Sequence, residues 1–322
     1  MAIVAGIDEA GFGPVLGPLV VSASAFAMPD GSSCSQMWQD LSGAVCKKPS
    51  RKGGKIAIAD SKKLHSRKRG NPLEHLERGV LSMLGSAGSV PGRIHELLEL
   101  VAPCAREQMS AYPWYDGADI ELPNSIDEND LSLAINSLKS TMSEAEIALW
   151  TMRCEPVFVG QYNAHVQATR NKATALMDIS GRLVDWLWRN APDGELRIYV
   201  DRQGGRRRYL PWLQRIFPGR NLRILDETDL FSAYEISGRD RTGRICFMTE
   251  GENHRLPVAM ASMMSKYLRE LFMAMFNKFW IDRLPGLSPT AGYYTDGRRF
   301  YKEIAGQVSE LGLDVATIYR SR

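Results

Sequence analysis

The sequence predicts a mixed α/β sheet flanked by helices, with an inserted lobe. Two strand-like runs, Ile3 to Ile7 and Leu19 to Ala27, follow one another across a turn-rich stretch and look like an antiparallel pair. Farther along, a segment of helical periodicity leads into a buried strand, as in a βα unit. Between the two regions the pattern turns irregular and acidic. Antiparallel pairing combined with βα units favours a mixed sheet over a purely parallel one.

The elements follow in chain order. Gly11, Gly13, Pro14, Gly17 and Pro18 form the turn between the first two strands, and Pro29-Asp30-Gly31 ends the second. Residues from Asp30 to Gly54 are polar and read as an exposed insertion. Lys55 to Ile58 is a brief strand, and a helix is expected from about Pro72 to Met83 with Asn71 as its cap. Residues 90–155 carry no basic residue between Arg106 and Lys139. They hold Asp116, Asp119, Glu121, Asp127, Glu128 and Asp130, which reads as an insertion or cap that repels a phosphate backbone. From Asn163, apolar residues at Val166, Ala173, Leu176, Leu183 and Leu187 mark a helix. Leu196 to Val200 is then a strand ending at Asp201. A short helix from Tyr209 to Phe217 follows, then a hairpin of Phe231 to Ile236 with Arg244 to Thr249 around residues 238–243. A long helix begins at Pro257, and another lies near Tyr301 to Leu311.

Composition excludes several classes. At 322 residues the chain has room for one large domain or two ordinary ones, and 44% apolar with 24% charged residues matches a globular protein with a sizeable core. A formal charge of +3 is too small to imply a partner, so the placement of charge decides. No secretory segment opens the chain, and its most apolar stretch, Pro14 to Met28, is too short to span a bilayer. Five cysteines without a CxxC pair read as reduced thiols in a cytoplasmic protein. Gly11-Phe12-Gly13 with Gly17 is no dinucleotide fingerprint, because Pro14 and Pro18 deny it the helix that holds a pyrophosphate. There is no GxxxxGK[ST] loop.

Asp8 and Glu9 end the first strand, where adjacent side chains point to opposite faces. One carboxylate then sits in a cleft while the other approaches from its rim, and the glycines that follow let a ligand come close to backbone. On composition alone, a polar strand end before a Gly-Pro turn is the favoured explanation. Seven arginines and no acid lie between Arg202 and Arg223, directly after Asp201, with Tyr209 and Trp212 interleaved. Guanidinium forks suit phosphate oxygens, so Arg206 and Arg207 are candidate backbone contacts, although most such runs are solvated loops.

The opening Gly6-Ile7-Asp8-Glu9-Ala10-Gly11-Phe12-Gly13-Pro14 resembles the first motif of the type 2 ribonucleases H, the ribonuclease HII and HIII family. Asp60-Ser61-Lys62-Lys63-Leu64 is similar to its second motif, and Asn163 to its asparagine-led segment. Val200-Asp201 is similar to its strand-terminal aspartate. Residues Val258 to Lys266 resemble its alanine-serine-lysine helix, and Gly292-Tyr293-Tyr294-Thr295 its late glycine-tyrosine element. The resemblance implies a single ribonuclease H-like domain over residues 1–322, with 90–155 inserted. It also implies Asp8, Glu9, Asp201 and Glu252 as catalytic metal ligands. Glu252 is placed by spacing from Ser262, with Glu250 as its competitor.

The resemblance further implies a two-metal site for Mg2+ or Mn2+, since hard cations take oxygen ligands and two of them stabilise the attacking and leaving oxygens of a phosphodiester. The implied activity is hydrolysis of the RNA strand of RNA–DNA hybrids, giving 5′-phosphate and 3′-hydroxyl ends. Gly11, Phe12, Gly13, Lys62, Ser262, Lys266 and Tyr293 stand at the implied substrate-contacting positions. The partner is then a hybrid or a ribonucleotide-containing duplex, with no membrane.

Two departures from the family pattern stand out. Phe12 replaces the arginine of the common HII motif, and glutamate at 252 follows the HIII branch. Yet the chain starts at the first catalytic strand, without room for that branch's amino-terminal domain. Two other readings stay open: a nuclease of the same fold on structured or damaged DNA, and a nucleic-acid-binding module without catalysis.

Overall fold

Strand β1 (Ala2–Ala10) is apolar on both sides because both of its faces are covered. Ile3, Ala5 and Ile7 join one hydrophobic cluster and Val4 the other, the period of two that a pleated strand imposes. The structure, a computed structural model, describes residues 1–49, 54–65, 71–238 and 241–321. After β1 come β2 (Leu19–Met28), α1 (Met37–Asp40), β3 (Val45–Cys46), β4 (Ile56–Ala57), α2 (Ser61–Leu64) and α3 (Glu74–Ser86). Next are α4 (Ile94–Val101), α5 (Ala105–Met109), α6 (Glu128–Glu144), β5 (Ala148–Val157), α7 (Val159–Thr169) and α8 (Lys172–Asn190). The carboxyl-terminal part holds β6 (Leu196–Asp201), α9 (Leu210–Ile216), β7 (Asn221–Glu227), β8 (Phe231–Ser237), β9 (Thr242–Met248), α10 (Gly251–His254), α11 (Leu256–Arg283) and α12 (Tyr294–Glu310).

The main sheet runs in the order β5-β2-β1-β6-β9-β8-β7. β1 pairs with β2 antiparallel and with β6 parallel, and β6 pairs with β9 parallel. The remaining pairs, β2 with β5, β8 with β9 and β7 with β8, are antiparallel, so the sheet is mixed. One face carries α8 and α9, through Leu183, Leu187, Trp212 and Leu213. The other carries the 28-residue helix α11, backed by the aromatic side chains of Tyr112, Trp114 and Tyr115. Among the described residues no helix is long and apolar enough to cross a membrane.

Strand β1 and helix α11 meet without clearance at Gly6. A Cβ there would lie 2.1 Å from the backbone nitrogen of Val258 and 2.2 Å from the carbonyl carbon of Pro257. Pro257, in the first turn of α11, also takes a hydrogen bond from Ser24 Oγ at 2.7 Å. The amino end of α11 therefore rests on β1 with no room between them.

Several expected elements are revised. The polar stretch from residue 30 is not a plain exposed insertion: Met37, Trp38, Leu41 and Val45 are buried, and Trp38 Nε1 donates to the Ile58 carbonyl at 2.9 Å. Residues 50–53 of that stretch lie outside the described residues, as do Arg239 and Asp240 of the expected hairpin turn. The segment 90–155 ends in β5, an edge strand of the main sheet. Asn163 does not begin a helix. It sits inside α7, which stops at the left-handed Arg170 (φ 51°), and Asn171 caps α8 through the amides of Ala173 and Thr174. The helix expected over 72–83 runs from Glu74 to Ser86, while Asn71 Oδ1 accepts from the Leu73 amide. β7 was not expected at all.

Replacing Gly6 by alanine forces backbone apart rather than a flexible side chain. Urea unfolding of Gly6→Ala is expected to show a loss of ~3 kcal/mol, and an unchanged midpoint contradicts the contact.

Candidate active site

Three neighbouring parallel strands end at the same edge of the sheet and deliver four acids there. β1 ends with Asp8 and Glu9 one residue beyond the Ile7–Val200 register pair, so Asp201 of β6 emerges beside them. Asp201 in turn stands opposite Met248 of β9, and the chain leaves β9 through Thr249 and Glu250 into α10, which carries Glu252. The Gly251 amide donates to Asp201 Oδ1 at 2.9 Å and fixes α10 against β6. The expected ligands are thus on one side of the molecule, brought together by strand order.

The electrostatics register the crowding. Asp8 is 8% exposed, and burial, followed by the charges of Glu9 and Asp201, raises its pKa well above the ordinary value. The Ser262 hydroxyl and the Glu9 amide, at 2.7 Å from Oδ1, work in the opposite direction. Burial first and then Asp201 push Glu9 up to about 7, against the pull of Lys62. Asp201 is raised to about 6, again chiefly by burial, with the Gly251 bond opposing and Glu252 adding. Lys62 shows the complement: burial lowers its pKa, but Asp60, Asp8, Glu252 and Glu9 together carry it above its usual value.

The donor set suits a hard cation, being carboxylate oxygen throughout, and the Oε2 of Glu252 is buried without a hydrogen-bond partner. The side chains as they stand do not enclose an ion: among the described residues, no three Asp, Glu, His or Cys are placed to hold one. Asp8 and Asp201 spend oxygens on the Glu9 and Gly251 amides instead. Glu250, the competitor of Glu252, is exposed at the start of α10 and accepts from Asn253 Nδ2 at 3.1 Å.

The other expected residues divide. Ser262, 3% exposed, lies within 3.0 Å of Ser61 Oγ and bonds Asp8, so it belongs to the acid cluster. Lys62 faces the same cluster from α2, whose amino end Asp60 caps through the Lys62 amide at 3.0 Å. Lys266 does not join them: its Nζ is 2.5 Å from Glu270 Oε1, and its side chain is largely buried there. Gly11 has φ +91° and turns inward, where a Cβ would meet Arg269 Nε at 2.5 Å, while Gly13 faces open space. Phe12 is partly buried and Tyr293 is 55% exposed at the amino end of α12.

Most of the arginine run is engaged in structure. Arg207 pairs with Asp229 at 2.5 Å, Arg208 with Glu227 at 3.9 Å and Arg223 with Glu235 at 2.8 Å. Arg202 donates to the Asp229 and Thr228 carbonyls and to Ser232 Oγ. Arg206 has no ion pair among the described residues. Arg202 and Arg207 still line the open cleft that holds Asp201, Glu252, Lys62 and Lys63.

Some supporting residues were not anticipated. Ser265 Oγ donates to the Asp8 carbonyl at 3.0 Å and to Ser22 Oγ at 2.8 Å; its signal was the three-residue spacing from Ser262, which puts both on one helix face. Lys47 and Lys63 both donate to Asn253, at 3.0 and 2.9 Å, and so pin α10. Nothing in the sequence signals that bond.

No family model matches the sequence, and no curated protein matches it. Solved structures do match along its length. The chain is similar to Archaeoglobus fulgidus ribonuclease HII from the structure of its complex with PCNA, at 15% identity and a TM-score of 0.42, covering 99% of this chain and 94% of that one. It is similar to Bst ribonuclease HIII in complex with Mn2+, at 13% identity and a TM-score of 0.45, covering 99% of this chain and 66% of that one. Ribonuclease H2 of Pyrococcus horikoshii OT3 matches at 13% identity and a TM-score of 0.38, over 98% and 92%. All three are type 2 ribonucleases H. At these scores the likenesses carry no argument about activity, and the site is judged on its own geometry.

The raised pKa values set the sign of a pH effect. A folded-state value of about 7 for Glu9 and about 6 for Asp201, above ordinary values of 4.5 and 3.8, means stability that is complete below pH ~4 and is lost as pH rises through the folded values. In EDTA the melting temperature is expected to fall between about pH 4 and pH 7, and Asp8→Asn to flatten that fall by removing one of the repelling charges. A wild-type profile flat over this range contradicts the clustering.

Proposed function

We propose that the chain is a divalent-metal-dependent nuclease that hydrolyses the RNA strand of RNA–DNA hybrids, leaving 5′-phosphate and 3′-hydroxyl ends. The observation that carries the reading is the meeting of Asp8, Glu9, Asp201 and Glu252 at the ends of neighbouring strands, where burial and mutual charge raise the pKa of three of them. Such an arrangement costs stability unless positive charge is brought in. A bound pair of Mg2+ or Mn2+ ions would supply that charge, polarise the scissile phosphate and activate the attacking water.

The chain's own residues then have separate tasks. Asp8, Glu9, Asp201 and Glu252 would hold the ions, and the buried free oxygen of Glu252 is available for that role. Ser262 and Ser265 orient Asp8 through its side chain and its carbonyl. Lys62 offsets negative charge at the mouth of the cleft. Arg206 and Arg207 would meet the nucleic-acid backbone, the first as an uncommitted charge and the second by exchanging Asp229 for a phosphate. Gly11, Phe12, Gly13 and Tyr293 are the candidates for reading the ribose 2′-hydroxyl. Incision at a single embedded ribonucleotide is disfavoured by one observation: Phe12 stands where the common HII motif carries an arginine.

A panel of hybrid, single-ribonucleotide and all-DNA duplexes with Mg2+ and Mn2+ separates these readings. Cleavage of the hybrid is expected, with Asp201→Asn and Glu252→Gln each lowering the rate ~100-fold or more while circular dichroism stays native. Undiminished cleavage in both variants removes the assignment. Tight binding without cleavage leaves a binding module.

A further inference from the structure

The turn between β1 and β2 is gripped from inside by parts of the chain far away in sequence, up to 309 residues for Arg320 and Gly11. The amides of Val15 and Leu16 both donate to the Gly292 carbonyl, at 2.7 and 3.2 Å. Leu16 bridges to Tyr319, and the Arg320 amide donates to the Val15 carbonyl at 2.9 Å. From α11, Arg269 Nη2 donates to the Leu16 carbonyl at 3.1 Å.

The strongest grip is the Arg320 guanidinium, which is 2% exposed. Nε and Nη2 donate to the Gly17 carbonyl at 2.9 and 2.5 Å, and Nη1 donates to the Gly11 carbonyl at 2.5 Å. Its planar face lies over the Tyr162 ring, 4.6 Å from the centroid. Among the described residues it has no ion pair, and burial, together with the charge of Arg269, lowers its pKa. A buried cation without a carboxylate is costly, and an apolar side chain would fill the space more cheaply. What an apolar side chain cannot do is tie two carbonyls to one rigid fork.

The tail that carries Arg320 is itself held by α7. Asn163 Nδ2 donates to the Ala316 and Tyr319 carbonyls at 2.7 and 2.9 Å, and Asn163 Oδ1 accepts from the Ser321 amide at 2.7 Å. With the inner carbonyls engaged, the outer part of the turn at Gly13, a few residues beyond Asp8 and Glu9 in the chain, is left facing open space.

We propose that Arg320 is a positioning residue, which joins the Gly11 and Gly17 carbonyls and so fixes the Phe12–Gly13 segment beside the acids for contact with a nucleic-acid backbone. This role rests on the nuclease reading above. It predicts a defect in substrate capture rather than in chemistry, because Asp8 and Glu9 are held separately by β2, β6 and α11.

The test uses the full chain with Arg320→Gln, Arg320→Lys and Asn163→Ala. The last loosens the tail without touching the guanidinium and serves if Arg320→Gln does not fold. For Arg320→Gln and Asn163→Ala, amide hydrogen exchange over residues 11–18 is expected to speed up, and KM for the cleaved duplex to rise ~10-fold with kcat within about threefold. Arg320→Lys, which keeps the charge but loses the fork, is expected to fall between wild type and Arg320→Gln. Faster exchange with unchanged KM makes Arg320 merely structural and overturns the proposal. So does unchanged exchange, or an equal loss of kcat. A wild-type chain that neither binds nor cleaves any duplex overturns the nuclease reading together with this role, whereas variants matching an active wild type overturn this role alone.

Discussion

Four carboxylates set at the ends of three adjacent strands repel one another, and much of the surrounding structure serves to bear that repulsion. Strand order makes the cluster unavoidable: with β6 between β1 and β9 and all three parallel, their carboxyl ends share one edge. The long helix α11 then seals the site from one side. Its first turn touches Gly6 without clearance, which brings Ser262 and Ser265 onto Asp8. The amide of Gly251 and the lysines at 47, 62 and 63 complete the enclosure with positive or donor groups. Lys62 lends positive charge to Glu9 and Asp201, but burial outweighs it and three carboxyl groups remain displaced toward their protonated forms.

The basic run beyond Asp201 shows how a charge pattern misleads when read without its partners. Seven arginines without an acid among them suggest an open phosphate-binding strip. In the fold, acids from the next hairpin reach back to them: Asp229 to Arg207, Glu227 to Arg208 and Glu235 to Arg223. Arg202 is consumed by carbonyls. The positive field at the cleft is smaller than the sequence implies, and it rests on Lys62, Lys63, Arg202 and Arg207 rather than on the whole run.

Legibility followed burial. β1, β2 and β6 are covered on both faces, so their apolar runs stood out, and the acids at their ends were placed by the same signal. β5 and β7 are the two edges of the sheet. Edge strands keep polar side chains such as Arg153, Glu155 and Arg223, and so lose the alternation by which a strand is recognised. The stretch around Trp38 looked exposed because its buried residues are few and set among polar ones. The pairing of Lys266 has another reason for escaping notice: Glu270, one turn away, takes its charge inside the protein. The pinning of α10 through Asn253 and the tail clasp by Arg320 join residues too far apart in sequence for any spacing rule to connect.

The central claim is that the four acids form one cation site, although no three of them enclose an ion as they stand. Anomalous diffraction from crystals soaked in Mn2+ tests it most directly. The account predicts anomalous peaks within ~2.2 Å of carboxylate oxygens of Asp8, Glu9, Asp201 and Glu252, with the side chains of Asp8 and Asp201 rotated toward the ion. Saturating Mn2+ with no peak at these residues, or a peak held by other groups alone, would contradict it.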